Sequence, residues 1–80
     1  MKYPVYVYRD SKANSFSPPI VEYNEPCAIR TLERRVHETG TDLGFAPGDF
    51  DLYCIGEFDS DSGTINSHLP VHIVNGGNLV

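Results

Sequence analysis

The run Leu52-Tyr53-Cys54-Ile55-Gly56-Glu57-Phe58, followed directly by Asp59-Ser60-Asp61-Ser62-Gly63, decides how this chain folds. Its first part is rich in aromatic and apolar residues. Read at period two as a strand, it sets Leu52, Cys54 and Phe58 on one face and Tyr53, Ile55 and Glu57 on the other. Its second part is turn chemistry, with Gly63 available for a left-handed position. Thr64 to Val74 continues as extended chain with Leu69, Val71 and Ile73 on a common face, so residues 52–74 are predicted to form a hairpin.

Working outward, Tyr3-Pro4-Val5-Tyr6-Val7-Tyr8 is a further strand, with Tyr3, Val5 and Val7 on one side and Tyr6 and Tyr8 on the other. Residues 10–15 are turn chemistry. Pro18-Pro19 then forces extended backbone into a short strand, Ile20-Val21-Glu22-Tyr23, which belongs at a sheet edge because proline cannot donate to a ladder. Asn24 or Glu25 can cap a helix with Pro26 in its first turn and Gly40 as its stop, predicted over 25–39. Ala28, Ile29, Leu32 and Val36 make its apolar stripe, while Arg30, Arg34 and His37 line a second face. Thr41 to Asp49 reads as a loop.

The order β-β-α-β-β predicts an α+β fold, a two-layer sandwich of mainly antiparallel sheet with one helix on one face. One domain over residues 1–80 is expected, with residues 75–80 a frayed tail. A domain of this size has no second helix for the other sheet face. That face, carrying Tyr6, Tyr8, Tyr53 and Ile55 together with His68 and His72, is the expected partner surface.

Composition narrows the function. The 80 residues are 40% hydrophobic and carry a formal charge of −5, a globular and acidic balance that opposes non-specific nucleic-acid binding. All six cations lie within residues 1–38, and residues 39–80 hold six anions and no cation. No apolar run reaches the ~18–20 residues of a membrane span, and the start lacks a signal-peptide h-region, so a cytoplasmic protein is expected.

No motif for chemistry is complete. Asp59-x-Asp61-x-Gly63 departs from a calcium loop, which needs Gly at the sixth position and Glu at the twelfth; here Gly is fifth and the twelfth position is Pro70. Pro70 also argues for extended chain between His68 and His72, which at about 13 Å apart would not share one ion. Cys27 and Cys54 lack Cys-x-x-Cys spacing and are expected as free thiols in a reducing compartment. Cys27, at the start of the helix, is the one candidate nucleophile, but no oxyanion-hole, nucleophile-elbow or phosphate-loop motif accompanies it. The expectation is no enzyme, no metal and no cofactor. Arg9, Lys12, Arg30 and Arg34 are the candidate phosphate-contacting residues, set against a solvated helix face balanced by Glu33 and Glu38.

The residues Asp49-x-Asp51-Leu52-Tyr53-x-Ile55-Gly56-Glu57-Phe58-Asp59-x-x-x-Gly63, with Asp10-Ser11-Lys12-Ala13, Phe16-x-Pro18-Pro19 and Ala28-Ile29-Arg30, occur in an order that resembles the small nonstructural protein of gokushovirus-type microviruses. The resemblance covers roughly residues 1–74. It implies a non-virion protein of a single-stranded DNA bacteriophage, with a role in genome replication or in the switch to single-strand synthesis and packaging. It brings no catalytic residues. The expected function is therefore a non-enzymatic accessory protein in the host cytoplasm that binds a phage or host replication or packaging protein, as a homodimer joined through sheet edges or the free face. The alternative is a direct single-stranded-DNA binder that stacks bases on Tyr6, Tyr8 and Tyr53 and holds phosphate with the four cations.

Overall fold

The computed structural model describes all 80 residues. The strands are β1 (Lys2–Asp10), β2 (Ser15–Phe16), β3 (Ile20–Val21), β4 (Phe50–Asp59) and β5 (Thr64–Asn75); the helices are α1 (Glu25–Arg35) and α2 (Asp42–Phe45). Single 3-10 turns follow at Pro47–Asp49 and Gly76–Leu79. Every pairing is antiparallel, in the order β2-β1-β4-β5, with β3 on the same edge of β1 as β2. The α+β antiparallel reading holds, on a curled sheet, with one strand and one helix more than expected. The added strand is Ser15–Phe16. The hydroxyl of Ser17 accepts from the Tyr8 backbone N–H at 2.9 Å, and the Ser17 N–H donates back to the Tyr8 carbonyl at 2.7 Å, which draws this segment onto β1.

Helix α1 starts where expected, with the Asn24 side chain accepting from the Cys27 N–H at 2.9 Å. It ends four residues early. After Val36 the chain tightens, His37 and Glu38 bonding back to the Arg34 and Arg35 carbonyls at 3.2 Å, before Gly40 takes φ +81°. The segment read as a loop is capped by Thr41, whose hydroxyl accepts from Gly44, and so winds one turn of helix that sends Leu43 into the core.

Ala28, Leu32 and Val36 meet the sheet as their spacing predicts. What they meet is different. Tyr6 and Tyr8 pair with Cys54 and Leu52 across β1 and β4, and they are buried under α1 with only 2% and 5% of their surface exposed. The expectation that they face outward is corrected: β1 is apolar at nearly every position, so alternation sorts its residues into two groups without saying which group faces the helix. Each such buried side chain stabilises the fold by about 1.5–3 kcal/mol.

A second correction concerns β4. Val5 pairs with Gly56 and Tyr6 with Cys54, which leaves Ile55 as an extra, half-buried residue in a bulge. Beyond it the faces exchange. Phe58, expected beside Leu52, pairs with Tyr3 and points away from α1. On the other side of β4 the register jumps from Cys54–Val71 to Gly56–Ser67, so His68 to Pro70 arch out, which accommodates a proline that cannot donate. Gly56 is required here: a Cβ would lie 2.3 Å from the Asn66 carbonyl oxygen.

The hairpin turn forms as read, with Gly63 at φ +72° and its N–H bonded to the Asp59 carbonyl at 2.8 Å. The backbone N–H groups of Asp61 and Ser62 hold the Asp59 carboxyl below its ordinary pKa. The tail is not frayed. The Asn75 amide donates to Gly48 O at 3.0 Å and Phe50 O at 3.3 Å, Gly76 is buried, and Leu79 packs on the core. Substituting Gly56→Ala is expected to lower stability by about 1–3 kcal/mol in urea unfolding, because backbone must shift. Gly48→Ala, where a Cβ meets nothing within 4 Å, is expected to change it by less than about 0.5 kcal/mol.

Candidate functional site

Both helices and the last turn pack on the Tyr6–Tyr8 side of the sheet: Ala28, Leu32 and Val36 from α1, Leu43 from α2, and Leu79 from the last turn. The opposite face is made of strand side chains alone. By register it carries Tyr3, Val5, Val7 and Arg9 of β1, Phe16 and Val21 of the short strands, Asp51, Tyr53 and Phe58 of β4, and Ile65 and His72 of β5. Val5 and Val7 are buried between their neighbours, whereas Phe16, Val21 and Ile65 remain about half exposed, at 49%, 49% and 52%. Tyr23, just beyond β3, tilts against Tyr3 with centroids 5.9 Å apart.

A row of side chains crosses this face. The Arg9 guanidinium lies 5.7 Å from the Phe16 ring centroid, and its Nη2 donates to the Asn14 side chain. Phe16 meets Tyr53 edge to face at 5.8 Å, and Tyr53 meets His72 edge to face at 5.3 Å. His72 Nε2 is 2.8 Å from Asp51 Oδ1, which also accepts from the Asn75 amide at 3.0 Å. Edge-to-face pairs contribute about 0.5–1.5 kcal/mol beyond area burial, so the row is a fixed surface rather than loose side chains. Asp51 is engaged by two partners, and Arg9 is the one cation that the strands turn to this face.

The structure redistributes the sequence-predicted residues. Tyr53 is on the free face, Ile55 sits in the bulge, and Tyr6 and Tyr8 are core. Arg9 joins the face and Lys12 is exposed in the turn after β1. Arg30 and Arg34 are exposed on α1, across the sheet from Arg9, so the four cations do not converge. Arg35 is partly buried, with its guanidinium 5.2 Å from the Tyr8 ring centroid. Among the residues that sequence reading missed are Phe16, Phe58 and Ile65. Phe16 stands amid turn-forming residues, and only its pairing with Arg9 reveals its face; the other two are hidden by the bulge.

Both cysteines are free thiols. Cys27 Sγ lies 3.7 Å from an Arg30 nitrogen, with no histidine beside it, and Cys54 Sγ lies 3.9 Å from His68 Nε2. His72 is committed to Asp51 and His68 Nδ1 to the Leu69 carbonyl at 2.7 Å, so the two histidines face different partners. No group of three or more His, Cys, Asp or Glu is placed to hold a metal ion. No helix is long and apolar enough to cross a membrane.

A family model described as Phage ORF5 protein matches residues 3–79. The chain belongs to that family. No curated protein and no solved structure is similar enough to register as a match. The matched span takes in every strand residue of the free face, so the Phage ORF5 assignment extends to the face as a whole.

Burial, and then the negative charge of Cys54, Glu25 and Glu22, push the Tyr6 hydroxyl up to about 12. Burial also raises Tyr8, opposed by Arg35. A tyrosine whose folded pKa exceeds the unfolded 10 contributes nothing to pH dependence below pH 10 and destabilises the fold as pH rises from there toward 12. Absorbance titration of phenolate is therefore expected to show Tyr6 and Tyr8 ionising only above pH 10, with thermal stability falling over that window. Ionisation of Tyr6 and Tyr8 near pH 10 in folded protein would contradict the core assignment.

Proposed function

We propose that this Phage ORF5 protein is a non-enzymatic accessory protein that acts by binding other proteins during viral DNA replication or the switch to single-strand synthesis and packaging. It works in the host bacterial cytoplasm and outside the mature virion. The gokushovirus-type resemblance supplies the viral setting. The observation that carries the mode of action is the free sheet face, an aromatic and aliphatic surface with half-exposed Phe16, Val21 and Ile65 and a single strand-borne cation, Arg9. Apolar, charge-poor surface of this kind resembles the core of protein–protein interfaces. Affinity capture from infected cells is the test. The wild-type chain is expected to retain a phage replication or capsid protein, and Phe16→Glu to lose it; equal recovery by both would remove the face from the function.

One observation favours a second reading. The row Arg9, Phe16, Tyr53, His72 offers rings for base stacking beside a guanidinium, which suits single-stranded DNA. Affinity for DNA nonetheless rests on several phosphate contacts, and Arg30 and Arg34 lie on the other side of the sheet in a chain of charge −5. No mobility shift of a single-stranded oligonucleotide is expected at low salt with ~100 μM protein, the weak end of non-specific binding. A shift that Tyr53→Ala abolishes would install the DNA reading in place of the first.

A further inference from the structure

We infer that the first occupant of the free sheet face is a second copy of this chain, the two sheets packing face to face about a two-fold axis. The inference rests on the proposed reading that this face binds protein, and it names the partner.

Charge supports self-packing. Of six cations and eleven anions, strand alternation turns only Arg9 and Asp51 toward this face. Asp51 already has His72 and Asn75 as hydrogen-bond partners, and Arg9 has Asn14. Closing two such faces together strands no unpaired carboxylate and opposes no row of like charges. A foreign partner selected by charge would leave the opposite signature, a cluster of one sign.

Size supports it as well. A face four strands wide at about 4.8 Å spacing and about 30 Å long covers roughly 600 Å² per copy, or about 1,200 Å² for two, at the lower edge of stable specific interfaces. Its geometry suits a sheet-on-sheet contact, where side chains interdigitate across about 10 Å. Within one copy Val5 and Val7 are already buried, so the half-exposed Phe16, Val21 and Ile65 around them form the surface left to close. A two-fold contact places the same patch on both copies, which a surface of one apolar character satisfies.

Sedimentation equilibrium of the full chain from micromolar to millimolar concentration tests this, with folding of each variant checked by circular dichroism. Wild type is expected to dimerise. Phe16→Glu and Ile65→Glu are each expected to raise the dimer dissociation constant at least about 30-fold, as loss of a buried anchor does. Phe45→Glu, at a position 90% exposed on α2 and away from this face, is expected to leave it unchanged. A wild-type chain that stays monomeric at millimolar concentration, or a dimer that survives both face variants, overturns the inference. If the chain is monomeric yet Phe16→Glu still loses its phage partner in affinity capture, the proposed function stands without self-association. If it dimerises through the face and captures no phage protein, self-association stands and that function falls.

Discussion

Because Tyr6, Tyr8 and Leu52 stand beneath Ala28 and Leu32, the odd-numbered residues of β1 have to point the other way. That packing leaves α1 with no solvent beneath it and leaves the reverse of the sheet with no helix at all. Tyr3, Val5, Val7 and Arg9 are thereby assigned to the free face, and their neighbours across the ladders follow: Val21 and Phe16 on one side, Phe58 and Tyr53 on the other. The site and the core are two sides of one choice of strand phase.

The bulge at Ile55 extends that choice along β4. Without it, Phe58 would follow Leu52 and Cys54 to the helix side, beyond the reach of α1, and the free face would lose an aromatic ring. Gly56 makes the irregularity possible by letting the Asn66 carbonyl come closer than any Cβ allows. The same region of β5 arches at His68–Pro70, so this long edge strand is interrupted where a regular ladder would invite another strand. Contact through the face therefore suits this protein better than contact through the edge.

The uneven charge of the chain takes on a spatial meaning. Its cations are spread over β1, the following turn and both sides of α1, and Arg35 is drawn over the Tyr8 ring. The cation-free second half supplies the acidic hairpin turn, where backbone N–H groups stabilise Asp59. Neither half builds a basic groove. The free face is set apart by the scarcity of charge, which is the ground for proposing protein rather than nucleic acid as its partner.

Much was legible without coordinates, for local reasons. Period-two runs identified the long strands, Asn24, Pro26 and the Ala28–Val36 stripe identified α1 and its buried side, and Asp59 to Gly63 identified the hairpin turn, because each depends on neighbours in sequence. That the sheet would keep one uncovered face also followed, from having a single long helix to cover it. Which residues occupy that face was decided only in three dimensions. Tyr6 and Tyr8 are as apolar in pattern as Val5 and Val7, so the phase of β1 was decided by packing against α1. The exchange of faces at Ile55 depended on the approach of Asn66 from another strand. The edge strand of Phe16, the core role of Leu43 and the docking of the tail through Asn75 likewise arise from partners distant along the chain, which composition and spacing do not register. Local preference determined the elements of this Phage ORF5 protein, and long-range register determined the surface they present.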